Sequence, residues 1–71
     1  MLRLVVNSST VLSIGYEAGA ETLEIEFVHA NETYHFLRVP LSVYEAFREA
    51  SSKGRFFNEH IRDHYDSVRI R

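Results

Sequence analysis

The chain has 71 residues, with 8 Lys+Arg, 10 Asp+Glu, 4 His and no Cys or Trp, and a formal net charge of −2. A chain this short buries only about 60% of the surface its unfolded form exposes. That leaves room for one small domain, and it excludes a second domain, an eight-fold βα barrel or a doubly wound nucleotide fold. The missing cysteines exclude a disulfide framework and thiolate-ligated zinc or iron–sulfur centres. Packing alone must hold such a fold, which suits the reducing cytoplasm, the expected location. No run approaches the ~20 apolar residues of a membrane span, and the apolar start is too brief for a signal-peptide core. Charge is unevenly spread: residues 1–36 hold Arg3 against five acids, whereas residues 37–71 hold seven bases against five acids. A nucleic-acid binder normally carries a strong basic footprint, so any such contact here would be local and modest.

Alternation with a period of two governs the first half of the chain. After the polar Asn7-Ser-Ser-Thr10, Leu12, Ile14 and Tyr16 fall on one side of an extended segment and Val11, Ser13 and Gly15 on the other. Glu17-Ala-Gly-Ala-Glu21 carries turn residues. A second strand follows over Thr22–Phe27, with Leu23, Ile25 and Phe27 opposite Glu24 and Glu26. His29-Ala-Asn-Glu32 interrupts again, and Thr33–Val39 is rich in strand formers. In this third strand Tyr34 and Phe36 share one face while His35, Leu37 and Val39 share the other. Both sets are apolar enough to pack, so either both faces are covered or one is held open for a partner.

Beyond Pro40 the period becomes helical. Ser42-Val-Tyr-Glu45 fits a capping box, and Val43, Ala46, Phe47 and Ala50 recur on one side, predicting a helix over about 43–51. Gly54 is placed to end it, and Ser52 to cap a second helix carrying Phe57, Ile61 and Tyr65 at four-residue intervals. Asp66–Arg71 reads as a short tail, either mobile or adding an edge contact. The expected class is α+β: a three-stranded antiparallel meander followed by two C-terminal helices packed on one sheet face.

Few residues carry an obvious chemistry. His60 and His64 have the four-residue spacing of paired metal ligands, but His-Ile-Arg-Asp-His is not the zinc-protease pattern and no third ligand is at hand. The preferred reading is a solvated helix face with some packing by His60, and no metal or cofactor is expected. No cysteine or Gly-x-Ser-x-Gly elbow supplies a nucleophile, so an enzyme is not expected. Glu24 and Glu26 read as a wet sheet face. Ser51-Ser-Lys-Gly-Arg55 offers hydroxyls and cations at a helix start, enough to touch a phosphate but short of a nucleotide-hydrolysing loop. Tyr34 and Phe36, with Arg38 two residues on, could stack bases and pair with phosphate, or could simply pack in the core.

Taken in order, Val6-x-Ser-Ser9, Ile14-Gly-Tyr16, Leu23-Glu-Ile-Glu-Phe27, Tyr34-His-Phe36, Val39-Pro40, Val43-Tyr-Glu45, Ser52-Lys-Gly-Arg-Phe-Phe-Asn58 and Ile61-Arg-x-x-Tyr65 resemble the KTSC family. The resemblance covers about residues 6–65 and implies a single domain. That family takes its name from a C-terminal extension of some lysyl-tRNA synthetases and includes short stand-alone bacterial and phage proteins. Its function is unknown, with RNA binding suggested by the synthetase attachment. Its Tyr-x-Tyr motif corresponds here to Tyr34-His-Phe36, without the second hydroxyl, and the turn His29-Ala-Asn31 lacks the family's common glycine. The expectation is therefore a binding module contacting RNA through Tyr34, Phe36, Arg38, Lys53, Arg55 and Arg62. Its rival is a protein-interaction or homodimerisation module acting through an exposed sheet face.

Overall fold

The alternating segments form the middle of an antiparallel sheet, seen in a computed structural model that describes residues 2–29 and 31–71. The turn expected at Ala30 thus falls partly outside the described residues. In chain order the elements are β1 (Arg3–Val5), β2 (Val11–Glu17), β3 (Thr22–Phe27), β4 (Thr33–Phe36), α1 (Leu41–Glu49), α2 (Lys53–Phe56), a π-helical turn (Phe57–Ile61) and β5 (Ser67–Arg69). The class is α+β as expected, but the sheet has five strands in the order β1-β2-β3-β4-β5, not three. The two added strands are edges of three residues each, too short to show a period. The supposed tail supplies β5. Thr33 fixes it by donating to Arg71 O (3.0 Å) and accepting from Ile70 N (2.7 Å), and Leu37 N donates to Asp66 O (2.9 Å).

Register separates the two faces. Ile14 lies opposite Ile25, which lies opposite Tyr34; Tyr16, Leu23 and Phe36 align in the same way. This face meets the helices. A bulge between Val11 and Ser13 changes the phase of β2, so Val11 is buried and Leu12, expected beside Ile14, is turned outward. β4 also ends sooner than its composition suggests. Arg38 takes a left-handed φ of 57°, and Val39 leaves the sheet line to donate its N–H to Glu21 O (2.8 Å) and bury its side chain.

The capping box does not form. α1 starts at Leu41 with Pro40 as its N-cap and no side-chain cap, placing Ser42 already inside the helix. Pro40 O accepts from Val43 N (3.0 Å) and Tyr44 N (3.3 Å), and the fixed φ of proline suits a helix start. Extended backbone at Ala50, rather than Gly54, ends the helix. Ser52 caps α2 as expected, its Oγ accepting from Arg55 N at 3.2 Å. Gly54 instead lies within α2, where an added Cβ would come within 3.0 Å of Thr10 Oγ1. Its role is close approach to Thr10 at the entry to β2.

Val11, Ile14, Leu23, Ile25, Phe36, Val39, Phe47 and Ile61 make one buried cluster between the sheet and the helices. Tyr16 closes one end. Its ring stacks on Tyr44 (4.8 Å between centroids, 9° between planes), and its hydroxyl donates to Val39 O at 2.6 Å. Burial, and secondarily the charge of Glu21, push the Tyr16 hydroxyl pKa above its ordinary value. Tyr16→Phe keeps the stack and loses the donor, so a loss of about 1 kcal/mol is expected. Urea unfolding checks it, with a lower midpoint at an unchanged slope as the expected result.

Candidate functional site

A cleft of about 400 Å³ opens where the ends of β3, β4 and β5 meet the π-helical turn. Its apolar wall is aromatic: Phe27, Tyr34, Phe36 and Phe57. The alternation of β4 sends Tyr34 and Phe36 to the same face, and the π turn brings Phe57 against both strands. Phe57 stands edge-on to Phe27 (5.2 Å) and to Phe36 (5.6 Å), while Tyr34 is edge-on to Phe27 at 5.9 Å. Phe36 is only 5% exposed and acts as floor, whereas Tyr34 is half-buried and keeps part of its ring accessible.

Polar groups ring this wall. Thr10 and His29 come from the loops around β2 and β3, Glu32 precedes β4, Ser67 opens β5, and Arg62, Asp63 and Tyr65 leave the π turn. Glu32 is held by the Tyr34 hydroxyl (3.4 Å) and Arg69 (3.4 Å). The chain exits the π turn through Arg62 N donating to Phe57 O (2.8 Å) and His64 N donating to Ile61 O (3.0 Å), with Asp63 at a left-handed φ of 64°. Arg62 and Asp63 are exposed at the rim. A smaller hollow of about 290 Å³ adjoins it, sharing Asp63 and Tyr65 and reaching Arg38.

Of the six residues singled out in the sequence, Tyr34, Phe36 and Arg62 line the cleft and Arg38 lines the adjoining hollow. Arg38 there pairs with Asp66 at 2.8 Å, both side chains being 75% exposed. Lys53 and Arg55 line neither. Lys53 Nζ donates to Ala50 O at the end of α1, and Arg55 pairs with Glu59 at 3.4 Å one turn away. With the Ser52 hydroxyl committed to its cap, the polar side chains of Ser52, Lys53 and Arg55 already serve internal bonds. His60 leans on Phe56 (4.6 Å) within the π turn and His64 lies past its end, so the two do not share one regular helix. Among the described residues no three His, Cys, Asp or Glu converge as metal ligands. Sequence reasoning missed His29, Glu32, Asp63 and Ser67, which carry no local motif and meet only through long-range pairing.

The opposite sheet face is charged but not simply wet. Glu24 bonds Arg3 and His35 (2.8 Å), and Glu26 bonds the Ser13 hydroxyl (2.9 Å) and Arg3 (3.4 Å). These contacts tie four strands together.

A profile of the KTSC domain matches residues 7–65. An uncharacterized protein of Stutzerimonas stutzeri (strain A1501) is 38% identical over 71 residues, covering 99% of both chains. A lysine–tRNA ligase of Nostoc punctiforme is 39% identical over 54 residues, which is 76% of this chain but 9% of the ligase. The crystal structure of a KTSC domain protein from Yersinia pestis superimposes with a TM-score of 0.94 at 40% identity, covering 99% of this chain and 97% of that one. With its profile match and its near-complete structural overlap, the chain belongs to the KTSC domain family.

Proposed function

We propose that this KTSC domain is a non-catalytic, cytoplasmic binding module for RNA, in which the aromatic cleft takes an unstacked base and Arg62 and Arg38 meet the adjoining phosphates. The carrying observation is the joint placement of the accessible Tyr34 ring, its aromatic backing and a guanidinium at the rim of one cleft. Its size falls within the ~300–1,000 Å³ of ligand clefts. Stacking on an aromatic side chain contributes about 1–3 kcal/mol per base. The related segment in a lysine–tRNA ligase adds support, since that enzyme works on RNA. With a net charge of −2 and most cations already paired, the binding is weak and local.

Titration of labelled protein with a tRNA mixture at low salt tests this reading. Amide signals of Tyr34, Arg62 and Tyr65 are expected to shift, and to shift less as salt rises, because phosphate contacts release counterions. Tyr34→Ala and Arg62→Glu should each weaken binding about tenfold, from the loss of stacking or of an ionic contact. An absence of shifts, or binding indifferent to salt, would refute the proposal.

One observation favours a second reading, a protein-interaction module. β1 is an open edge with Leu2 90% and Val5 82% exposed, the kind of strand on which another chain can pair. Sedimentation distinguishes the two: a concentration-dependent dimer abolished by Val5→Lys, with no RNA-induced shifts, would replace the RNA reading.

A further inference from the structure

Resting on that RNA reading, we propose that the cleft selects the base it takes and prefers guanine, read on its Watson–Crick edge by the Asp63 carboxylate. The polar rim is mixed in sign, and the division of roles follows from which groups are already engaged. Glu32 is held between Arg69 and the Tyr34 hydroxyl. Asp63 has no ion pair among the described residues, and it lines both the cleft and the adjoining hollow.

Main-chain bonds on either side fix its position, from Arg62 N to Phe57 O and from His64 N to Ile61 O. An ionised carboxylate only accepts hydrogen bonds. Guanine presents two adjacent donors, N1–H and the N2 amino group, which match its two oxygens. Adenine and cytosine offer one amino group beside a ring nitrogen that also accepts. Uracil flanks its single N–H with two carbonyl oxygens and is the poorest match. Asp63 and Glu32 repel phosphate, so the base enters and the backbone stays at the rim, near Arg62 and the Arg38 of the adjoining hollow.

Four U-rich RNA hexamers, differing only in a central G, A, C or U, test the preference by fluorescence anisotropy with amide shifts followed in parallel. The G hexamer is expected to bind about fivefold to tenfold tighter than the U hexamer, the lower part of the range for a bidentate base contact. Asp63→Asn should bring the G hexamer down to the affinity of the others. Asparagine tolerates the left-handed φ of this position, so the variant should keep its fold, which its amide spectrum would verify. If all four hexamers bind alike while Tyr34 and Tyr65 signals move, RNA binding stands and base selection is overturned. Retention of the G preference in Asp63→Asn overturns the role of Asp63. If no hexamer moves the cleft signals, the RNA reading fails first and the preference with it.

Discussion

Phe47→Ala is expected to bring the domain to the margin of stability at room temperature, with the unfolded form populated. Phe47 is fully buried and is the buried residue α1 contributes to the core. Its ring stacks on Phe56 of α2 at 5.4 Å, so it joins the two helices to each other as well as to the sheet. Truncating a buried phenylalanine costs about 3–5 kcal/mol, and a domain of this size holds little more than about 5 kcal/mol in total. Neighbouring side chains cannot collapse into the gap easily, because Ile14, Leu23 and Ile25 are anchored in strands whose register is fixed. Far-UV circular dichroism and urea titration check the outcome. Phe47→Leu serves as the control, keeping most of the volume and costing about 1 kcal/mol, with a cooperative transition retained. A Phe47→Ala midpoint equal to the parent would mean that α1 is not held by this contact.

Strong periods told the truth about the middle of the fold. Thr22–Phe27 alternates without exception and forms β3; Phe57 and Ile61 pack toward the core at the expected spacing, whereas Tyr65, expected on the same helix, lies beyond the π turn that ends at Ile61. The failures have separate physical causes. Ser67–Arg69 is not one of them, since it makes the edge contact that is one of the two expectations for the tail, pairing with Tyr34–Phe36 on the free edge of β4, more than thirty residues away. Leu12 turns outward because a bulge inserts one residue and inverts the phase locally, which composition does not reveal. Ser42 and Glu45 match a capping box, yet Pro40 starts the helix earlier and makes that cap unnecessary.

The candidate site was legible only where a strand or helix period pointed to it. Tyr34 and Phe36 are neighbours on one face of β4 by alternation alone, and that much needs no structure. Their joining by Phe57, Asp63 and Tyr65 depends on the π turn, which widens the helix by one residue and redirects the chain. Lys53 and Arg55 illustrate the opposite limit. A cluster of cations in sequence says nothing about whether a carbonyl at the end of α1 or a glutamate one turn away already holds them.

Acid is expected to weaken the domain through Glu24, whose contribution depends on its staying ionised. Glu24 lies on β3 between Arg3 of β1 and His35 of β4, its side chain 12% exposed. Burial by itself would raise its pKa. Hydrogen bonds from His35 and Arg3, together with their charges, outweigh burial and hold the carboxyl below its ordinary 4.5. Since a carboxylate only accepts, His35 Nε2 carries the proton in the 2.8 Å bond. Nearby charges on the same face are Glu26 and Arg71, themselves 3.9 Å apart.

A folded-state pKa below the unfolded one means that the unfolded chain binds the proton more readily. The stabilisation is therefore complete above about pH 4.5 and is lost as pH falls through the lowered folded value. Glu24→Gln should lose on the order of 1–2 kcal/mol at neutral pH, because the amide keeps the shape but not the charge-assisted bonds. The variant and the parent should then converge in acid. Parallel pH profiles in urea unfolding would remove Glu24 from this role. Because the group clamps β1 to β4 across β3, its protonation frees the sheet edge first. Amide exchange in Arg3–Val5 should accordingly accelerate before exchange at Ile14 or Ile25, whose bonds lie behind the buried cluster.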